Sequence, residues 1–250
     1  MMGTDIKKQE YTCVYELDVE VAQLNENNAL KPGAYQTLFA RLADMHLANY
    51  NVDINETMKY GFGWALISLS FEVVHPINSC MRLYASTWYS QRKGPYFRRE
   101  LVFRNKQGQI MFHGSTFSVL LDIKNRTVFR KKETPFHMNP PYELFCIEAN
   151  PRFRERGLYK DVETRKVHNS YMDCLGHVNN CRYGDFAYDA LDDEQSRLIG
   201  DLKRMDAFFS SELRKNDEFT VQKSVDGNQI FIKGHNIIKD DAAFHIVFQF

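Results

Sequence analysis

The sequence predicts an α+β protein of two tandem units, each a long helix wrapped by a curved antiparallel β-sheet. Three observations lead there. A strand, a helix and four further strands follow one another before residue 130, and the same order returns after residue 160. The helical stretches carry apolar residues at a 3.6-residue period and the strands at a period of two. Between the two runs, residues 131–160 hold Pro135, Pro140, Pro141 and Pro151 among many charges, the make-up of a connector lying over a surface. The expected division is a unit at 1–130, a linker at 131–160 and a second unit at 161–250.

In chain order, residues 10–22 alternate apolar and polar and read as a strand. Lys31-Pro32-Gly33 opens a helix with Pro in its first turn and Tyr35, Leu38, Phe39, Leu42, Met45, His46 and Asn49 along one face. His46, on that face, is expected to be packed and hydrogen-bonded. From Trp64 the period changes to two, with Ala65, Ile67, Leu69, Phe71 and Val73 pointing one way. Strands follow at 81–91, 96–104 and 109–121, the last after a Lys106-Gln107-Gly108 turn. The second unit is expected to hold a strand near 161–170, a helix at 179–191 and strands near 204–214, 217–225, 228–238 and 242–250. Phe112-His113 is echoed by Phe244-His245, and Phe71-Glu72 with Pro76 by Ser211-Glu212 with Asn216.

The 250 residues, 44% hydrophobic and 14% aromatic, suffice for one large core or two fused smaller ones. Lys+Arg and Asp+Glu both number 32, so no global field favours nucleic acid or an acidic membrane. Cys13, Cys80, Cys146, Cys174 and Cys181 are odd in number and show no metal-site spacing, which points to free thiols in a reducing compartment. Met1 to Lys8 lack an apolar signal core, and no apolar run nears the roughly 20 residues that cross a bilayer. A cytoplasmic protein is expected.

Chemistry concentrates between Tyr171 and Asn180. Asp173, Gly176, His177, Asn179 and Asn180 crowd the start of the second helix, whose face is Tyr183, Phe186, Ala187, Ala190 and Leu191. Asn179 or Asn180 would cap it. The first amides of a helix have no intrahelical acceptor and carry the positive end of its dipole, so N–H groups of Val178, Asn179 and Asn180 could hold a developing oxyanion. His177 sits beside that end, and Asp173 could act on water or on a carbonyl carbon.

The string Asp-x-x-Gly-His-Val-Asn-Asn-x-x-Tyr, present as Asp173, Gly176, His177, Val178, Asn179, Asn180 and Tyr183, resembles the signature of hotdog-fold thioesterases. Two tandem hotdog units with the signature in the second resemble the acyl-acyl carrier protein thioesterases, the plant fatty-acid-releasing family and its bacterial relatives. The likeness extends to Trp64 leading a strand with Glu72 and Pro76, the Thr87-Trp88 pair, the Arg99 strand, the Gly108 hairpin, and Glu212 followed by Asp217.

That resemblance implies hydrolysis of the thioester between a fatty acyl chain and acyl carrier protein in fatty acid biosynthesis, with no metal or organic cofactor. It implies Asp173, His177 and Glu212 as catalytic residues: Asp173 as general base or nucleophile, His177 polarising or orienting the thioester, and Glu212 positioning water. Two positions depart from the family pattern. Its motif asparagine falls on Leu175, and the cysteine that often follows the later acid falls on Leu213. A cysteine nucleophile at 213 is thereby excluded. An acyl pocket in the first unit would involve Phe39, Leu42, Ile67 and Leu69. The acidic carrier would be steered by basic clusters at Arg92-Lys93, Arg98-Arg99, Lys131-Lys132 and Arg152 to Arg156. An acyl-coenzyme A thioesterase and a non-catalytic acyl-binding protein are the alternatives, the latter motivated by Leu175; monomer and homodimer both remain open.

Overall fold

The computed structural model describes residues 13–250. The start of the first expected strand, residues 10–12, and the stretch from Met1 to Lys8 lie outside the described residues. The first half comprises β1 (Tyr15–Val19), α1 (Pro32–Asn49), α2 (Ile54–Lys59), β2 (Phe62–Val73), β3 (Met81–Lys93), β4 (Tyr96–Arg104), β5 (Ile110–Asp122) and β6 (Thr127–Val128). The second comprises β7 (Lys160–Lys166), α3 (Cys181–Asp189), α4 (Asp193–Arg197), β8 (Arg204–Phe209), β9 (Glu218–Asp226), β10 (Gln229–Asn236) and β11 (Asp241–Gln249).

All described strands join one antiparallel sheet in the order β1-β3-β4-β5-β2-β8-β11-β10-β9-β7, with β6 on β5. Read outward from the centre, each half repeats the other, as two hotdog units side by side. The seam is β2 against β8, where Ser70 pairs with Asp206, Ser68 with Phe208 and Glu72 with Arg204. A pseudo-twofold axis therefore passes between Ser70 and Asp206.

Each helix is held by aromatic packing on the concave face of its sheet. Pro32 sets the first turn of α1, and Tyr35, Leu38, Phe39, Leu42 and His46 are buried, whereas Met45 points outward. Phe39 stands 5.2 to 5.9 Å from the rings of Phe71, Phe103 and Phe112. On α3, Tyr183 stacks on Phe244 at 4.6 Å and Phe186 meets Phe219 at 5.2 Å. The helices cross backbone to backbone: a Cβ on Gly184 would lie 2.9 Å from Gly33 Cα and 2.2 Å from Gln36 Oε1. No side chain fits between them.

Several sequence expectations need correction. The strand expected at 204–214 ends at Phe209, because Ser210 and Ser211 N–H both turn to Ala243 O and leave the ladder. The helix expected at 179–191 shortens to Cys181–Asp189. A bulge at Ile67 breaks the strict alternation of β2: Leu69 and Phe71 are buried, whereas Ala65 and Ile67 are only partly so. The Phe112-His113 and Phe244-His245 echo does fall on the corresponding strands β5 and β11. The second echo does not: Val178 N–H donates to Leu213 O as Leu30 N–H donates to Ile77 O, so Glu212 corresponds to Pro76 and not to Glu72.

Residues 131–159 carry no helix or strand, yet they are clamped to the first half. Trp88 Nε1 donates to Leu144 O at 2.9 Å, Cys146 N–H to Glu100 Oε2 at 3.0 Å, and Arg98 Nη2 to Ile147 O at 2.6 Å. Arg98 and Glu100 form a buried pair at 2.6 Å whose remaining polar partners are Ser90 and Ser115. These charges are affordable because each is both paired and hydrogen-bonded.

Candidate active site

The turn from Asp173 to His177 closes on itself. Asp173 N–H donates to His177 O at 2.9 Å and Gly176 N–H to Asp173 O at 3.2 Å, with Gly176 at φ 82°, where a side chain would be strained. Within this turn Asp173 Oδ1 accepts the Leu175 N–H at 2.8 Å and the His177 N–H at 3.4 Å. Its Oδ2 lies 3.1 Å from His177 Nδ1. Facing Asp173, Nδ1 leaves Nε2 as the histidine's outward atom.

Glu212 is brought to the same place by its neighbour. Leu213, fully buried, accepts the Val178 N–H at 2.8 Å, and its backbone is hydrogen-bonded to the Tyr183 hydroxyl. The Glu212 carboxylate accepts from Arg214 at 2.9 Å and from Arg126 of the first half at 3.1 Å. Burial acts to raise its pKa, but the Arg214 hydrogen bond and the charges of His177, Arg126 and Arg214 together hold it below the ordinary carboxylate range. Asp173, His177 and Glu212 are thus brought together.

The expected oxyanion amides divide. Val178 N–H is engaged by Leu213 O, and Asn179 N–H by Tyr171 O at 2.9 Å, so neither can hold an oxyanion. They are taken because the turn must be tied to its flanking chain on both sides. Asn180 N–H has no acceptor among the described residues. Asn179 Oδ1 accepts the Cys181 N–H at 2.9 Å, so Asn179 is the cap.

These residues stand at one end of a cavity of about 820 Å³ that runs into the first half. Of the four residues expected at an acyl pocket, Phe39, Ile67 and Leu69 line this cavity, whereas Leu42 is fully buried in the core. The α1 side of the wall runs from Gln36 through Ala40, Ala43 and Asp44 to Leu47. Burial raises the Asp44 carboxyl, with Arg99 pulling it back and Asp53 pushing it further. Arg99 also lines the cavity and reaches His46 Nδ1 at 3.0 Å, while Arg98 is buried, so the Arg98-Arg99 pair is not the surface cluster expected from sequence.

Two free thiols, Cys174 and Cys181, line the cavity. Leu175, half-exposed, lines the entrance beside Cys174. Cys181 lies within the wall, where burial pushes its thiol up to about 11, leaving it protonated at neutral pH. Among the described residues no group of His, Cys, Asp and Glu is arranged to hold a metal ion.

The first half contains a second copy of the turn that sequence reading missed. Asn25 N–H donates to Ala29 O and Asn28 N–H to Asn25 O, with Asn28 at φ 60°, while Asn25 Oδ1 accepts from Asn27 and Ala29 N–H at 3.0 and 2.8 Å. An isolated bridge closes each turn, Leu24 with Leu30 and Met172 with Val178. Asn25, Ala29 and Pro76 therefore stand where the second half has Asp173, His177 and Glu212. The signal available was the spacing of Leu24-Asn25 and Leu30 against Met172-Asp173 and Val178. Arg126 carried no such signal, since its role arises only where the halves meet.

No protein-family model matches the chain, and no curated protein matches it. Solved structures do. An acyl-ACP thioesterase from Bacteroides thetaiotaomicron superposes with a TM-score of 0.79 at 17% identity, covering 97% of this chain and 98% of that one. The 12:0-ACP thioesterase from Umbellularia californica superposes with a TM-score of 0.75 at 12% identity, covering 94% and 96%. Identities this low speak to fold alone, and the chain is accordingly a double-hotdog protein with the architecture of these structures along nearly its whole length.

Proposed function

We propose that the protein hydrolyses the thioester of a fatty acyl chain carried on acyl carrier protein, releasing free fatty acid. The observation that carries the reading is the Asp173–His177–Glu212 cluster at the mouth of a cavity long enough for an acyl chain. Along α1 the cavity spans Gln36 to Leu47, about 16 Å at 1.5 Å per residue. An extended chain of about 1.2 Å per bond, taken from three bonds per 3.3–3.6 Å residue, fits on the order of 12–14 carbons there.

Asp173, with donors on both oxygens, orients His177 through Nδ1. His177 Nε2 then takes a proton from water as its oxygen attacks the carbonyl carbon. Glu212, kept ionised by Arg126 and Arg214, accepts the water's other hydrogen and fixes its approach. The Asn180 N–H at the start of α3 stabilises the oxyanion. On collapse the C–S bond breaks, and the thiolate leaves, taking the proton from His177. The engaged carboxylate of Asp173 favours this orienting role over nucleophilic attack.

Arg126, Arg214 and Lys239 gather on Glu212, the arginines at its carboxylate and Lys239 Nζ donating to its carbonyl oxygen. Cations at this end suit an anionic carrier, a property that acyl carrier protein and coenzyme A share. The test is a single turnover of acyl-acyl carrier protein in ¹⁸O-water. Label in the first fatty acid released, together with loss of turnover in His177→Ala, is expected. Unlabelled first product would mean that a side-chain carboxylate attacks instead.

A further inference from the structure

The cavity ends opposite the catalytic turn, and its end wall is not made by helix and sheet alone. Trp64, Tyr89, Phe97 and Leu47 contribute from the first half, and Met138 comes from the connector between the halves. Tyr89, Phe97 and Met138 have a second face. They also line an open groove of about 570 Å³ whose other walls are Tyr60, Arg92 and residues 132–141. Met138 therefore stands in a partition between the cavity and the groove.

The partition is a strap fixed at two points. On one side Arg92 donates to the carbonyls of Lys131 and Lys132. On the other, Tyr142 N–H donates to Tyr89 O at 2.9 Å. Between these clamps no backbone hydrogen bond joins the strap to the sheet among the described residues. Its middle is held by side chains: Phe136, buried, meets Tyr60 at 5.8 Å and Trp64 at 6.1 Å, and Met138 packs on the same cluster. Tyr89 and Phe97 ride on paired strands and cannot retreat. Met138 is unbranched, partly buried and carried by the least hydrogen-bonded segment of the wall.

From this geometry we infer that Met138 of the connector sets the length of acyl chain the cavity accepts. The inference rests on the acyl-ligand reading of the cavity, not on turnover. The ω-end of a chain whose carbonyl lies at His177 meets the Met138 side chain near Leu47. A smaller residue at 138 joins the cavity to the groove and lets additional methylenes be enclosed. A larger one shortens the available path. Each methylene newly enclosed raises affinity about fourfold, equivalent to about 0.8 kcal/mol.

The experiment measures dissociation constants of saturated fatty acids of increasing length for wild type, Met138→Ala and Met138→Trp by calorimetry, with hydrolysis rates of the matching acyl-acyl carrier proteins alongside. The expected result is a best-bound length at least two carbons longer in Met138→Ala and at least two shorter in Met138→Trp. Coincident profiles in all three folded proteins would overturn it. Opposite shifts in binding without any hydrolysis would uphold Met138 as the length determinant while refuting thioester hydrolysis. Should Met138→Ala not fold, Met138→Trp and Met138→Val decide alone, each required to move the profile in its own direction.

Discussion

Asn25 is held in the first half by the hydrogen bonds that hold Asp173 in the second. Its Oδ1 accepts the amides two and four residues ahead, Asn27 and Ala29, as the Asp173 Oδ1 accepts those of Leu175 and His177. One carboxylate has an imidazole beside it, whereas its counterpart amide faces Tyr188 Oη at 3.1 Å. A duplicated scaffold thus carries one chemically equipped turn.

The two turns should separate stability from activity. Asp173→Asn makes the second turn resemble the first and should leave the fold intact while lowering kcat by about 10²–10⁴-fold. Asn25→Ala leaves buried amides unpaired and should cost about 1–3 kcal/mol in urea unfolding, with kcat/KM of the folded enzyme unchanged. Equal effects of both variants on activity would contradict the division of labour.

Arg126 reaches from the first half to Glu212, and the prediction concerns pH. With its pKa held low, Glu212 stays ionised well into acid, so the kcat/KM profile carries a second, lower acid limb from Glu212 beneath the one set by protonation of the base. Arg126→Met removes one of the opposing charges, raises the Glu212 pKa and should move that lower limb to higher pH. A limb that stays in place would show that Glu212 does not govern it.

His245 is buried beneath Phe153, ring centroids 4.2 Å apart, with Glu155, Lys233 and Tyr159 as its polar neighbours. Burial lowers it to about 4, with Lys233 acting the same way and Glu155 opposing. The unfolded chain, titrating near 6.5, binds more protons between those values. Stability is therefore complete above about pH 6.5 and falls as the pH drops towards 4, by at most about 1.4 kcal/mol per unit from this group. His245→Phe should flatten the decline seen in urea titrations at pH 7, 5.5 and 4.5.

Gly184 lets α3 meet α1 without a gap. Gly184→Ala places a methyl against the backbone of Gly33 and should cost about 1–3 kcal/mol through overpacking. Because α1 forms one wall of the cavity and α3 starts beside the Asp173–His177 turn, turnover should fall with stability. Thermal unfolding with parallel assays checks both.

Much of the architecture was legible because each helix and strand carries its own periodicity: Pro32, Leu38 and Phe39 mark α1, and Gly108 marks a hairpin by its local backbone. The turn at the candidate site was legible for the same reason, since Asp173, Gly176 and His177 make their bonds within five residues. What was hidden depends on chain outside the element concerned. The Ile67 bulge answers to β5, the loss of the Val178 and Asn179 amides depends on Leu213 and Tyr171, and Arg126 meets Glu212 only across the seam. Leu42 was misplaced because helical periodicity shows which face is apolar but not whether that face meets a core or a cavity. The first-half turn escaped notice because Asn25, Ala29 and Pro76 lack the chemistry that drew attention to its copy.

The most direct test is hydrolysis of a ladder of acyl chain lengths, each presented on acyl carrier protein and on coenzyme A, by wild type and Asp173→Asn. Turnover on the carrier protein, strongest on the order of 12–14 carbons from the length of the cavity and collapsing in the variant, is the expected result. Absence of turnover on either carrier, with acyl ligand still bound, would contradict it and would make the protein an acyl-binding double hotdog whose Leu175 marks a lost enzyme.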